Sequence, residues 1–344
     1  MRVLVTGGAG YIGSHACRAL LDAGHHVVAL DNLVRGHRAP IQKLAEQFQG
    51  RISLIEADAG DTAAVYEAMR AHQIDTVLHF AALAYVGESV DDPMRYYRLN
   101  VASMIGLLEA CQTQAISRIV FSSSCATYGD PPAGLIPVPE NCPQNPTSPY
   151  GRTKLMGEQM LLDFVHASKL AGRPVSVAML RYFNVAGSDP TGLLGEDHKP
   201  ETHLIPIAVD AALGRRDGMA IFGTDYPTPD GTNIRDYVHV QDLIDSHLRA
   251  LDSLDPTANT CEAYNVGIGQ GYSVREILEA VKRVSGTDFP VREEARRAGD
   301  AIQLFNDPTK IRRELGWEAK ITDLDEIVRT CYEWRRDNPE GYGD

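Results

Sequence analysis

The chain is 344 residues long, 44% hydrophobic and 23% charged, with 46 Asp and Glu against 33 Lys and Arg for a net charge of −13. Such a composition suits a globular protein of one large domain or two unequal ones, and the lack of any basic run argues against a nucleic-acid partner. No apolar stretch approaches the ~20 residues of a membrane span, and the six cysteines (17, 111, 125, 142, 261 and 331) form no CxxC pair that would suggest zinc or a disulfide framework.

After Met1 and Arg2 the chain runs directly into VLVTG, with no signal-peptide core, so a cytoplasmic protein is expected. Short apolar runs predict strands at Val3–Thr6, Val27–Leu30, Ile52–Glu56, Thr76–Phe80, Ile119–Ser122 and Val175–Leu180. Helical patterns lie between them, as in Ile12–Leu21, where Ile12, Ala16, Cys17, Leu20 and Leu21 share one face. Continuous apolar strands alternating with helices predict an α/β fold, a doubly wound parallel sheet (Rossmann) of strand order 3-2-1-4-5-6.

The first strand leads into TGGAGYIGSH, residues 6–15. Gly7 suits a tight turn, Gly10 lets backbone approach a pyrophosphate, and Gly13 lets helix pack close on strand. The phosphates would sit on the free amides of the helix N-terminus. The second strand ends in Asp31, placed to grip an adenine ribose, and its charge repels a 2′-phosphate, which favours NAD over NADP. Asp58, beyond the third strand, could accept from the adenine amino group.

Seven prolines crowd 131–149, which predicts a long extended loop. It ends at SPYGRTKLMGEQM (148–160), where Tyr150 and Lys154 stand one helical turn apart and so emerge on one face. Leu155, Met156, Met160, Leu161 and Phe164 repeat at helical spacing and are expected to form the buried stripe beside them. From about residue 186 the regularity fades. Gly/Pro/Asp/Thr-rich stretches separate helical segments near 205–213, 240–251, 274–284 and 321–335, which predicts a smaller C-terminal α/β domain capping the sheet. Residues 1–185 would hold the cofactor and 186–344 the substrate, with the chain free to cross back between them.

The GxxGxxG spacing, Ser124 in FSSSCATYG (121–129) and the YxxxK pair resemble the extended short-chain dehydrogenase/reductase superfamily. HFAALAYVGESV (79–90), RYFNVAG (181–187), YPTPDGTNIRDYVHVQDL (226–243), YNVG (264–267) and RRAGD (296–300) further resemble the UDP-glucose 4-epimerase family over nearly the whole length. The resemblance implies a catalytic set of Ser124, Tyr150 and Lys154. It implies contacts to NAD from these three together with Gly7, Gly10, Tyr11, Ile12, Gly13, Asp31, Asn32, Asp58, Ala59, Phe80, Ala81 and Phe183. For a UDP-sugar it implies Asn184 and Arg235 at the diphosphate, His203 and Leu204 at the pocket entrance, and Ala220, Ile221 and Phe222 along the uracil with Tyr237 nearby. Arg297 and Asp300 complete the set at phosphate and ribose, with Ser124 and Tyr150 at the sugar; no metal is implied.

In the mechanism implied, NAD takes hydride from sugar C4, the 4-keto sugar turns its other face, and hydride and proton return with inversion. A free phenol has a pKa of about 10, and a neighbouring ammonium and the positive nicotinamide ring are expected to bring Tyr150 down toward working pH. Cys125 and Ala126 stand where dehydrating relatives carry Asp-Glu, so the site is expected to do proton and hydride transfer alone. Ala84 and Leu99 depart from the family pattern, a lysine and an Asn being common there, which puts individual cofactor contacts in doubt. Leu304, by the sugar's C2 substituent, leaves N-acetylated sugars undecided; pentose and uronate epimerases, a net dehydrogenase and a non-catalytic sensor are the rival readings. Helices near 101–111 and 150–164 are implied to pair in a homodimer.

Overall fold

The computed structural model describes residues 1–297 and 300–343, so Ala298 and Gly299 of the RRAGD stretch lie outside the described residues. Its centre is a parallel sheet of seven strands: β1 (Arg2–Thr6), β2 (His26–Asp31), β3 (Ile52–Glu56), β4 (Thr76–His79), β5 (Arg118–Ser124), β6 (Ser176–Tyr182) and β7 (Cys261–Val266). Across the sheet the order is 3-2-1-4-5-6-7, every neighbouring pair parallel. Six strands stand in the expected order. The seventh is an addition to the sequence reading. Its CEAYNV run mixes Glu262 and Asn265 with apolar residues because it closes one edge of the sheet, so it lacks the continuous apolar signature of a central strand.

Both faces are covered. On one side α1 (Tyr11–Asp22), α2 (Arg38–Gln47) and α7 (Val240–Ser253) enclose a core with Val3, Val5, Leu20, Leu21, Leu243 and Trp317. On the other, α3 (Thr62–His72), α4 (Ser103–Thr113) and α5 (Pro149–Leu170) pack Met69, Leu107, Cys111 and Leu161 against Leu4, Val77 and Phe121. A separate apolar cluster joins α6 (Leu204–Ala212), α8 (Val274–Ser285) and α9 (Leu324–Asp337) beyond the carboxyl ends of the strands, together with Met219, Ile221 and Phe289. The chain therefore leaves the sheet after β6, enters this cap, returns through α7 and β7, and goes out again.

The α5 helix corrects one expectation. Its buried face carries Tyr150, Gly151, Thr153, Lys154, Gly157, Glu158, Leu161 and Val165, whereas Met156 and Leu162 are 37% and 49% exposed. Of the expected stripe, Leu161 is buried and Met160 and Phe164 pack on the same core, while Met156 turns outward. Glycines share the inward face because a Cβ at Gly157 would come within 2.8 Å of the Phe121 ring, and one at Gly151 within 2.4 Å of the Ala126 carbonyl. Close approach selects the smallest residues.

The glycine loop shows the same logic. Gly7 takes φ +70°, and a Cβ on Gly13 would lie 2.0 Å from the Gly7 carbonyl oxygen. Gly13→Ala should therefore destabilise the protein by about 2–3 kcal/mol or prevent folding, read as a lower urea midpoint; an unchanged midpoint would refute this account of the α1–β1 junction.

Candidate active site

The carboxyl ends of β1, β4, β5 and β6 open on a single cavity of about 500 Å3 between sheet and cap. Strand order reverses between β1 and β4, and an open α/β sheet has its natural crevice there. At one end lie Gly7, Gly10, Tyr11, Ile12 and Gly13, and beyond them Asp31, Asn32, Asp58 and Ala59. Gly10 precedes α1 without any side-chain cap, and a Cβ there would meet only the Gly7 carbonyl, at 3.3 Å. The first amides of α1 are thus open to an anion, as every uncapped helix start is. The Asp31 carboxylate accepts from the amides of Ala9 (3.0 Å) and Leu33 (2.9 Å), and burial raises its pKa. Asn32 donates to Asp58 at 2.9 Å across the rim. These residues fit a dinucleotide in shape, charge and donor set.

At the centre the ends of β5 and α5 meet. Ser148 caps α5, accepting from the Gly151 amide, and Pro149 opens its first turn, so Tyr150 projects from the helix start beside Ser124, the last residue of β5. Lys154, one turn on, donates to the Ser122 carbonyl at 2.7 Å and sits 5.1 Å from the Phe121 ring centre and 5.9 Å from that of Tyr150. Ser124, Tyr150 and Lys154 are all buried and all line the cavity.

The expected acidification of the phenol is not a property of the protein alone. Burial pushes Tyr150 up to about 12, against a hydrogen bond with Ser124 that lowers it, and burial lowers Lys154 to about 7, against the pull of Glu158. Desolvation opposes either charge, and in this arrangement it outweighs the Ser124 hydrogen bond to the phenol and the Glu158 charge near the amine.

Beneath them lies a buried network that sequence reasoning missed. Glu158, one turn beyond Lys154, accepts from Ser123 and from Gln144 (3.0 Å), and from Arg181 Nε (2.9 Å) and Nη2 (2.7 Å). Arg181 also donates to Tyr128 at 2.9 Å, which in turn donates to Asn265 of β7 at 2.7 Å. Asn100, in a π-helical turn over Tyr97–Ala102, clamps Leu83 through both its amide and carbonyl (2.8 and 3.0 Å) and donates to Thr153 at 3.0 Å. Glu158's position, four residues past Lys154 on the same face, was the one sequence signal available.

Of the other expected residues, Phe80, Ala81, Phe183, Asn184, His203, Leu204, Arg235, Tyr237 and Asp300 also line the cavity. Four do not. Ile221 lies in the cap core, because strand alternation turns it away from Ala220 and Phe222. Arg297 stacks 3.7 Å over the centre of the Phe222 ring. These four stand off the cavity as a group. His203 is engaged by Glu196, and the same carboxylate lies 3.1 Å from His198, which sequence reasoning overlooked.

Residues 3–267 match the NAD dependent epimerase/dehydratase family. The chain belongs to that family. It is 46% identical over its whole length to a UDP-glucose 4-epimerase of Lacticaseibacillus casei, covering 99% of that protein, and 44% identical over 99% of its length to UDP-arabinose 4-epimerase 1 of Arabidopsis thaliana, covering 81% of it. Among solved structures, UDP-glucose 4-epimerase from Brucella ovis in complex with NAD superimposes with TM-score 0.89 at 45% identity over 96% of this chain and 97% of that one. The Stenotrophomonas maltophila enzyme with bound NAD and formylated UDP-arabinopyranose gives 0.92 at 40% identity over 99% of each chain.

Two outcomes follow from the site's buried charges. Glu158→Ala strands Arg181 without its partner and should cost about 3–5 kcal/mol in urea unfolding; a loss below about 1 kcal/mol would show the pair to be dispensable. Lys154 gives up its proton near pH 7 in the folded chain but near its ordinary 10.5 when unfolded. Between those values the unfolded chain binds more protons, so stability should rise with pH, by up to ~1.4 kcal/mol per unit. Lys154→Met should lose that slope, and parallel pH curves for the two proteins would contradict it.

Proposed function

We propose that this chain is a UDP-glucose 4-epimerase, interconverting UDP-glucose and UDP-galactose with NAD held in the cavity. The observation that carries the reading is the meeting of Ser124, Tyr150 and Lys154 in the same crevice as the uncapped glycine loop. The loop after Ser124 offers only Cys125 and Ala126, neither of which can serve as the extra acid that elimination needs.

Gly7, Gly10, Tyr11, Ile12 and Gly13 would cradle the cofactor's pyrophosphate on the α1 amides, Asp31 its adenosine ribose, and Asn32, Asp58 and Ala59 its adenine end. Phe80, Ala81 and Phe183 would wall it in. When bound, NAD supplies a hydride acceptor at sugar C4 that later returns the hydride to the opposite face. Tyr150 takes the proton from the C4 hydroxyl and gives it back, with Ser124 holding the same oxygen in line. Positive charge brought next to Tyr150 by the cofactor ring offsets the burial that holds the phenol up near 12. Lys154, anchored on the Ser122 carbonyl, keeps its amine near the phenol, where it would also face the bound cofactor.

In the cap, Arg235 and Asn184 would meet the diphosphate, with Tyr237, His203 and Leu204 about the nucleotide and Asp300 at its ribose. Ala220, Phe222 and Arg297 stay assigned to the uridine side, where Phe222 and Arg297 already stack, while Ile221, buried in the cap core, would support their strand from behind. Residues 1–185 and 186–344 are assigned to cofactor and substrate respectively, with α7 and β7 returning to the cofactor side. Exposed Ile105 on α4 and Met156 and Leu162 on α5 make an apolar face on adjoining helices, which supports a homodimer. Cytoplasmic residence is likewise proposed; among the described residues no helix is long and apolar enough to cross a membrane.

The plant relatives and the arabinopyranose-bound neighbour favour, as second reading, a pentose substrate at the same site. The test is incubation with UDP-galactose, and in parallel UDP-xylose, without added cofactor, followed by chromatography. UDP-glucose should form, and denatured protein should release NAD. Tyr150→Phe should keep UDP affinity and lose turnover by about 10²–10⁴-fold. Accumulating NADH, or normal turnover in that variant, would overturn the assignment.

A further inference from the structure

One wall of the cavity carries a group of side chains that the proposed proton and hydride transfers do not use. Glu196, His198, Glu201 and His203 follow one another as E-x-H-x2-E-x-H in the loop that leads into α6. Each offers one ligand atom, and the four atoms lie within 4.8 Å of one another. The Glu196 side chain is 1% exposed, and its Oε2 makes no hydrogen bond. Glu201 Oε2 also makes none, with Arg335 Nη1 at an ion-pair distance of 3.7 Å. A buried carboxylate oxygen left without a donor is an arrangement proteins avoid unless something else occupies it.

The surroundings hold these groups in place. Glu201 Oε1 accepts the amides of Thr202 (2.8 Å) and His203 (2.9 Å). Arg335 Nη1 donates to the Glu196 carbonyl oxygen at 3.1 Å, while its Nε and Nη2 pair with Asp210 at 3.0 and 2.6 Å. Asp210 therefore takes most of the Arg335 charge, which reaches Glu201 only at 3.7 Å, and the rest of the two glutamates' charge faces the histidines or a cation. Tyr11 and Tyr85 approach the histidine rings edge-on and close the cluster on the sheet side.

We propose that Glu196, His198, Glu201 and His203 form a binding site for a divalent transition-metal ion of the zinc class. Two imidazoles and two carboxylates make a borderline donor set of the kind such ions take, with too few oxygens for Mg2+ or Ca2+. The charges of the two carboxylates cancel those of the ion. With bonds of about 2.0–2.2 Å a tetrahedral ion spaces its ligand atoms about 3.4 Å apart, so a pair at the 4.8 Å limit must close by about 1.4 Å. One continuous loop can make that adjustment. Entry of the metal displaces any proton held between the rings and the carboxylates. A bound ion would brace residues 196–203 against the start of α6, on the cavity wall that His198 and His203 line.

The inference is independent of which sugar the enzyme turns over, and its test does not read activity. Protein stripped with chelator and titrated with Co2+ should develop visible d–d absorption that saturates at one equivalent per chain and is displaced by Zn2+. Glu196→Gln and His198→Ala should weaken Co2+ binding by ~10-fold or more while keeping the wild-type circular dichroism. Should either fail to fold, Glu201→Gln serves in its place. Absence of the Co2+ bands from the wild type, or bands of equal affinity in the folded variants, would overturn the site.

Discussion

The seating of α5 on the end of β5 is the contact on which the site depends. A lysine and a phenol are brought out of water within one helical turn, and each loses solvation in the process. The protein offsets this locally. The Ser122 carbonyl receives the Lys154 amine, the Phe121 face lies under it, and Glu158 one turn on adds the opposite charge. Neither strand partner, the Ser122 carbonyl nor the Phe121 ring, could reach Lys154 if Gly151 and Gly157 carried side chains, since helix and strand would be forced apart. The same approach fixes Ser124 against Tyr150.

Glu158 links this junction to the rest of the sheet. Its carboxylate is shared by Ser123 of β5 and Arg181 of β6, and Arg181 passes the connection through Tyr128 to Asn265 of β7. A buried ion pair is weak evidence of net stability because desolvation consumes much of its attraction. Its value here is geometric, since a forked guanidinium opposite a carboxylate sets helix, strand and proline-rich loop at one mutual orientation. The crevice between β1 and β4, where the connections diverge to opposite faces of the sheet, then lies directly beside that orientation.

The electrostatics divide the cavity. The glycine-loop end presents backbone amides, with Arg35 on its wall already paired to Glu88, whereas the cap end presents Arg235. Between them the buried phenol and amine are both held toward their neutral forms. Such a site is poised: a positive ligand set next to Tyr150 changes its proton affinity more than it would in water, because little solvent intervenes.

Sequence by itself determined the first six strands, their order, the glycine turn and the shared helix face of Tyr150 and Lys154, because each rests on local chemistry: strand periodicity, a turn that only glycine allows, and a one-turn helical spacing; Ser124 entered through the family resemblance. It did not reveal the edge strand β7, whose polar residues break the apolar pattern, nor that Gly151 and Gly157 share the inward face of α5 with Leu161. Only the tertiary structure decided that Ile221 points into the cap core, that Glu158 pairs with Arg181, and that burial holds the Tyr150 phenol above its ordinary value. Each of those outcomes depends on which distant segment lies across the gap and how much water it excludes, and neither quantity is written in residue spacing.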